Sequence, residues 1–162
     1  MIATRICLLL SMLCLSLGYA NAKELPQSKF QRLYLPIYSH IAHGNSDRSG
    51  KASMALLSAM VSIRNTDSLK PIKLLSAKYY DTEGRFLRNY VVKPVLVNPF
   101  GTYELFVDSN DKSGGSGANF VIEWESDALV SSPLVEAVHI SLISGRSITV
   151  KTEAVEIRHE DR

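Results

Sequence analysis

The stretch Asp108–Ala118 (DSNDKSGGSGA) holds three Asp or Asn residues, three serines and three glycines in eleven positions. It is the part of the chain where residue types alone could do chemistry. Loops this long are uncommon in compact domains and are often functional. Asp108, Asn110 and Asp111 offer hard oxygen ligands to calcium, but the spacing lacks the alternating acids and closing glutamate of an EF-hand loop. Backbone N–H groups at Gly114–Gly117 could capture an anion. No Lys followed by Ser or Thr completes a P-loop. Gly114-Gly115-Ser116-Gly117-Ala118 nearly fits a nucleophile elbow. An elbow needs a helix after its serine, and Asn119–Glu125 reads as a strand. The plain alternative is a hairpin loop whose glycines supply positive φ. If the loop acts, binding is expected rather than catalysis, through Asp108, Asn110, Asp111, Ser113, Ser116 and Asn119.

The remaining reactive residues are scattered. His40 and His43 lie three apart, which on a strand sends them to opposite faces. His139 sits on a strand beside Glu136 and Ser141, and His159 lies in a charged tail. Four dispersed histidines do not make a site, so no catalytic residue, metal ligand or cofactor is assigned. Tyr34, Tyr38, Tyr79, Tyr80, Tyr90 and Tyr103 could stack on a carbohydrate or peptide, but tyrosine is also a good strand former. Tyr79 and Tyr80 must point to opposite faces, one to the core and one to the surface. Trp124 is expected at the centre of the core. Arg85, Arg88 and Lys93 are balanced by Asp81 and Glu83, so no basic stripe suggests nucleic-acid binding.

The elements that must position these residues are strands. Leu57, Ala59, Val61 and Ile63 recur at period two. So do Phe120, Ile122 and Trp124, and so do Tyr103, Leu105 and Val107. Glu136 interrupts one face of Leu134–Leu142, leaving Val138, Ile140 and Leu142 opposite His139. Turn signals stand at Asn65-Thr66-Asp67, Asp81–Gly84, Asn98–Gly101 and Ser144–Arg146. About seven to eight antiparallel strands at this spacing predict an all-β fold, a single immunoglobulin-like β-sandwich over residues 32–158. A helix over Gly50–Met60 is the competing reading, and the alternation through Leu57–Ile63 argues for strand. Residues 23–31 read as a loose leader and 159–162 as a tail.

The chain opens with Arg5, a twelve-residue uncharged run from Ile6 to Leu17, and Ala20-Asn21-Ala22. This is the pattern of a secretory signal peptide over residues 1–22. The run is shorter than the roughly 17–25 residues of a membrane-spanning helix. Cleavage leaves no stable membrane anchor and predicts an exported protein, periplasmic or secreted. Removing 22 of 162 residues leaves 140, and takes both cysteines and one of 18 basic residues. The net charge then falls from +2 to +1. The mature chain has no thiol nucleophile and no disulfide.

Five motifs together carry a family resemblance: Leu33–Ile41 (LYLPIYSHI), Ser62–Asp67 (SIRNTD), Lys78–Asp81 (KYYD), Ser113–Phe120 (SGGSGANF) with Glu123-Trp124, and Pro133–Ala137 (PLVEA). In this order the chain resembles an uncharacterised family of exported bacterial proteins, domain of unknown function 3124, over about Leu33 to Ile148. The resemblance implies an extracytoplasmic bacterial protein and carries over no catalytic residue. The two function classes left are a non-enzymatic binding or assembly module with a protein or carbohydrate partner, and a small exported hydrolase or metal-dependent enzyme using the 108–119 loop.

Overall fold

The computed structural model describes residues 25–143 and 145–157. The proposed signal peptide with its two cysteines, and the tail at 159–162 with His159, lie outside them. The described residues form an all-β structure of twelve strands. They are β1 (Gln27–Ile37), β2 (His40–Ser46), β3 (Ala52–Leu56), β4 (Ser58–Arg64), β5 (Ile72–Tyr80) and β6 (Phe86–Asn89). There follow β7 (Val95–Val97), β8 (Thr102–Val107), β9 (Ala118–Ser131), β10 (Leu134–Ile143), β11 (Arg146–Glu153) and β12 (Val155–Glu156).

Every strand pair is antiparallel. The larger sheet runs β12-β1-β9-β5-β6, with β7 also on β5. The second runs β11-β10-β4-β8, and β2-β3 form a separate two-stranded arm. The period-two pattern is the cause of this layering. Leu33, Leu35 and Ile37 of β1, Phe120, Ile122 and Trp124 of β9, and Leu74, Ala77 and Tyr79 of β5 are buried. From the other sheet they meet Ala59, Val61 and Ile63 of β4, Leu105 and Val107 of β8, and Val135 and Ala137 of β10 in one core. Trp124 is fully buried, and its indole N–H donates to Gln31 Oε1 over 3.2 Å. A buried ring of this size removes about 150–250 Å² from water, and its N–H still needs an acceptor.

The strand count exceeds the seven to eight expected from the sequence. The arm β2-β3 and the short β6, β7 and β12 bury too few side chains to show a periodic pattern. The Gly50–Met60 segment holds strand from Ala52, divided between β3 and β4 at Leu57, and no helix. The loose leader also ends earlier than expected. Gln27 and Ser28 already pair with Ser131 and Val130 of β9. Backbone pairing along the 14-residue β9 holds this polar segment without apolar side chains, so alternation could not reveal it. The turns at Asp81–Gly84 and Asn98–Gly101 form as expected. Gly84 N–H donates to Asp81 O at 2.9 Å and Gly101 N–H to Asn98 O at 2.8 Å.

The largest departure lies in β10. Val135, Ala137, His139 and Ser141 point inward, whereas Ile140 is 44% and Leu142 82% exposed. The more apolar face of this strand therefore faces solvent. Its inner face turns polar at His139 and Ser141, where His139 Nε2 accepts from the Tyr38 N–H just beyond β1.

Registers fix the ends of the domain. Gln27 lies opposite Ser131 and Ile37 opposite Ala118. The Ser132 N–H donates to Pro26 O, and the Ile157 N–H to Arg32 O. The described chain thus starts at one end, here the near end, and finishes opposite the middle of β1. The 108–118 loop, the Asp81–Gly84 hairpin and the β2-β3 arm gather at the far end.

Candidate functional site

At the far end, the loop between β8 and β9 is folded tightly onto two neighbours. On one side it meets the hairpin between β5 and β6. The Gly114 carbonyl accepts from the Thr82 N–H at 2.9 Å and from the Thr82 hydroxyl at 3.1 Å. Thr82 Oγ1 in turn accepts from the Gly117 N–H at 3.0 Å. On the other side the Gly115 carbonyl accepts from the Ser39 N–H at 3.0 Å. The glycines are required by approach as well as by φ. A Cβ on Gly114 would lie 2.7 Å from Tyr79 Cζ and 2.7 Å from Ala118 Cβ. Gly115 has φ +78°. The Tyr79 ring is buried against Phe120 and Tyr90, and its hydroxyl shares a 3.2 Å hydrogen bond with the buried Ser39 hydroxyl.

The polar residues of the loop hold each other. Asp108 Oδ1 accepts from the Asn110 N–H at 2.7 Å. Asp111 Oδ1 accepts from the Ser113 N–H at 3.1 Å and from its hydroxyl. Asp111 Oδ2 pairs with Arg88, whose guanidinium lies 5.3 Å from the Tyr90 ring centre and 5.8 Å from that of Tyr79. Partial burial alone would raise the Asp111 carboxyl, but the Ser113 donors and Arg88 hold it below its ordinary value. Carboxylate oxygens already accepting local bonds are poor candidates to grip an ion. Ser113 and Ser116 are exposed, Asp108 and Asn110 are exposed, and Asn119 is half-buried at the start of β9. Among the described residues no group of three or more His, Cys, Asp and Glu is placed to hold one metal ion. No histidine there hydrogen-bonds to a side chain of the loop.

The histidines are apart. His40 and His43 lie on the arm, opposite Leu56 and Ser53 of β3. His139 is fully buried and bridges the two sheets. Its Nε2 accepts from the Tyr38 N–H at 3.2 Å, and its Nδ1 donates to the Val150 carbonyl at 3.2 Å. Both partners require the neutral ring protonated at Nδ1. Burial holds its pKa below the ordinary imidazole value, partly offset by the Val150 carbonyl.

The motif residues have comparable structural duties. The Asn65 amide donates to the Lys70 and Val97 carbonyls at 2.9 and 3.1 Å, and the Thr66 hydroxyl to the Ser132 carbonyl at 2.9 Å. Asp67 accepts from the Leu69, Lys70 and Ser131 N–H groups. Asp81 accepts from the Glu83 and Arg85 N–H groups and pairs with Arg85. Glu123 accepts from Arg32 at 2.7 Å and Ser76 at 3.0 Å on the outer face of the larger sheet. Burial would raise the Glu123 carboxyl, but those two donors and the Lys78 charge bring it below its ordinary value.

What the sequence did not flag is an apolar surface at this same end. On the outer face of the smaller sheet, Phe106 of β8 lies opposite Met60 of β4, which lies opposite Val138 of β10. Phe106 is 58% and Met60 44% exposed. Ile140 and Leu142 continue this face along β10. With Met54 and Leu56 of the arm they line a shallow groove of about 580 Å³. The available signal was the parity of β10. Its alternation names two faces but not which one is inside.

The family model described as protein of unknown function (DUF3124) matches residues 30–157. The chain belongs to that family. The DUF3124 match covers both sheets, the arm and the far-end loop. Comparison with curated proteins gives no match. Among solved structures, the chain is similar to a Thermotoga maritima protein, 1070, at 10% identity and a TM-score of 0.43. That likeness covers 77% of this chain and 92% of the other.

Proposed function

We propose that this DUF3124 chain is an exported, non-enzymatic binding or assembly module that meets its partner through the far end of its β domain. The observation that carries the reading is the exposed apolar face of Met60, Phe106, Ile140 and Leu142, continued into the groove beneath Met54. Soluble monomers rarely leave large contiguous apolar patches uncovered, and such patches commonly mark interaction sites. Two further features support it. The polar side chains of Asp111, Ser113 and Thr82 are bonded within the domain, which favours a binding surface over an active site. The described chain starts at the opposite end, so a leader joined there would leave the far end free. Methionine and aliphatic side chains suit a protein partner better than a carbohydrate, which favours aromatic platforms. The immunoglobulin-like comparison belongs to the same proposal, since such sandwiches present binding loops at one end. Export follows from the leader-like sequence at residues 1–22.

The test compares wild-type protein with the double variant Ile140→Ser/Leu142→Ser, expressed in its native envelope. Both side chains are solvent-facing, so the melting temperature is expected to stay within about 2 °C of wild type. Co-purification of a discrete partner is expected to be lost in the variant. The reading fails if the variant retains the same partners. It also fails if purified wild-type protein turns over an ester, peptide or glycoside in a manner abolished by Ser116→Ala.

A further inference from the structure

Resting on the binding-module reading, we infer that the outer edge of β8 accepts a partner strand by β-sheet extension, and that this strand presents an apolar residue flanked by basic residues at alternate positions. β8 is the terminal strand of the smaller sheet and pairs only with β4. No other described segment hydrogen-bonds to the backbone of Thr102–Val107. Natural edges are usually blunted by shortness, bulges, lysine or proline. Apart from five-residue β3 of the arm, the other edges among the described residues follow that rule. β6, β7 and β12 have four, three and two residues. β2 carries a bulge between His43 and Ser46. β11 carries Lys151, and its Thr152 hydroxyl donates to the Pro36 carbonyl of β1. β8 is six residues long, without a bulge, lysine or proline, and Glu104 is its one charged side chain.

Its outer face also defines the partner. Glu104 and Phe106 of β8, and Asp108 immediately after its last residue, follow one another at alternate positions, all exposed. Asp108 Oδ1 accepts from the Asn110 N–H, and its Oδ2 makes no hydrogen bond among the described residues. Neither acid takes part in a salt bridge among the described residues. Directly opposite residues on neighbouring strands interact through their side chains, and like charges placed opposite are destabilising. A matching strand therefore reads basic–x–apolar–x–basic, a pattern that serves in either strand direction. A second copy of this chain fits worse. A continuous sheet across a two-fold axis pairs residues of the same face, so the axis falls at Glu104, Leu105 or Phe106. The first sets Glu104 against itself, and the third sets Glu104 against Asp108. The second sets Glu104 over Phe106 and leaves all four acids without a cation.

The test uses the mature chain and a labelled peptide, acetyl-Thr-Lys-Thr-Phe-Thr-Lys-Thr-amide, read by fluorescence anisotropy and by amide hydrogen exchange. The expected result is saturable binding with new protection of those Tyr103–Val107 amides that point away from β4. The variant Glu104→Lys/Asp108→Lys should bind about tenfold more weakly and should instead take the peptide with glutamates in place of lysines. Both acids are exposed, and an unchanged melting temperature confirms that the variant is folded. The inference is overturned if the peptide protects no β8 amide, or if the charge-reversed chain binds it equally well. It is also overturned if the chain dimerises on sedimentation with β8 protected, which would make the occupant a second copy. If β8 stays unprotected while Ile140→Ser/Leu142→Ser still loses its partner, the strand-addition inference fails and the binding-module reading stands. Loss of neither partner nor peptide in the respective variants overturns both.

Discussion

The glycines of the 108–118 loop are explained by close packing rather than by ligand capture, and Gly114→Ala tests this directly. The new methyl group would lie 2.7 Å from Tyr79 Cζ and from Ala118 Cβ, where carbon contacts normally stand near 3.5–4 Å. Neither neighbour can yield easily. Tyr79 is fully buried, with its ring centre 4.9 Å from that of Phe120, and Ala118 begins β9. Overpacking of this kind costs about 1–3 kcal/mol. Displacing the Tyr79 ring also strains its hydrogen bond to buried Ser39, worth about 0.5–1.5 kcal/mol. The expected loss is about 2–4 kcal/mol, or a fall in Tm of about 10 °C for a domain of this size. Differential scanning calorimetry on Gly114→Ala, Tyr79→Phe and the double variant separates the causes. The Tyr79 hydroxyl is the atom nearest the new methyl group, so its removal should make the double variant lose at least about 1 kcal/mol less than the sum of the single losses. Gly117→Ala is the control, because its Cβ would meet Thr82 Cγ2 at 3.1 Å on an outer loop that can shift. A Gly114→Ala protein within about 0.5 kcal/mol of wild type, or strict additivity with Tyr79→Phe, would refute the packing account.

Three further outcomes follow from the same geometry. His139 has a folded pKa below its unfolded value, so the unfolded chain binds the proton more readily, and stability is lost as pH falls below about 6.5. Thermal melts between pH 7 and pH 5 should show that loss, and His139→Gln should flatten it; equal slopes contradict the neutral bridging role. Glu123→Gln leaves Arg32 without its carboxylate and is expected to lower stability by about 1–2 kcal/mol in urea titration, as for a partly buried charged hydrogen bond. Because the Asp111 carboxylate is already bonded to Ser113 and Arg88, millimolar calcium should move Tm by less than about 1 °C, whereas a site saturated a hundredfold above its Kd would add about 2.7 kcal/mol.

Much of the fold was legible in the sequence because burial and period two coincide wherever a strand carries large apolar residues inward. Phe120, Ile122 and Trp124 name the centre of β9, and Tyr79-Tyr80 divide between core and surface as their adjacency requires. The signal failed where other forces decide. Gln27 and Ser28 are held in β1 through backbone pairing, which leaves no trace in hydropathy. In β10 the inner face is Ala137, His139 and Ser141, since the bridge to Tyr38 and Val150 needs a polar ring there. The apolar Ile140 and Leu142 then point outward, and pattern alone assigned the more apolar side no direction. The far-end loop was recognisable by composition. Its contacts with Tyr79, Thr82 and Ser39 were not, because they join positions 32–76 residues apart in the chain, as the bonds Gly114–Thr82 and Gly115–Ser39 illustrate.

Site-specific photo-cross-linking in living cells tests the central claim most directly. A photoreactive residue at Leu142, 82% exposed on the far-end face, is compared with one at Val92, 84% exposed outside it. The account predicts a discrete adduct of higher mass from position 142 and none from position 92. Equal labelling from both positions, or an adduct from position 92 alone, would contradict it.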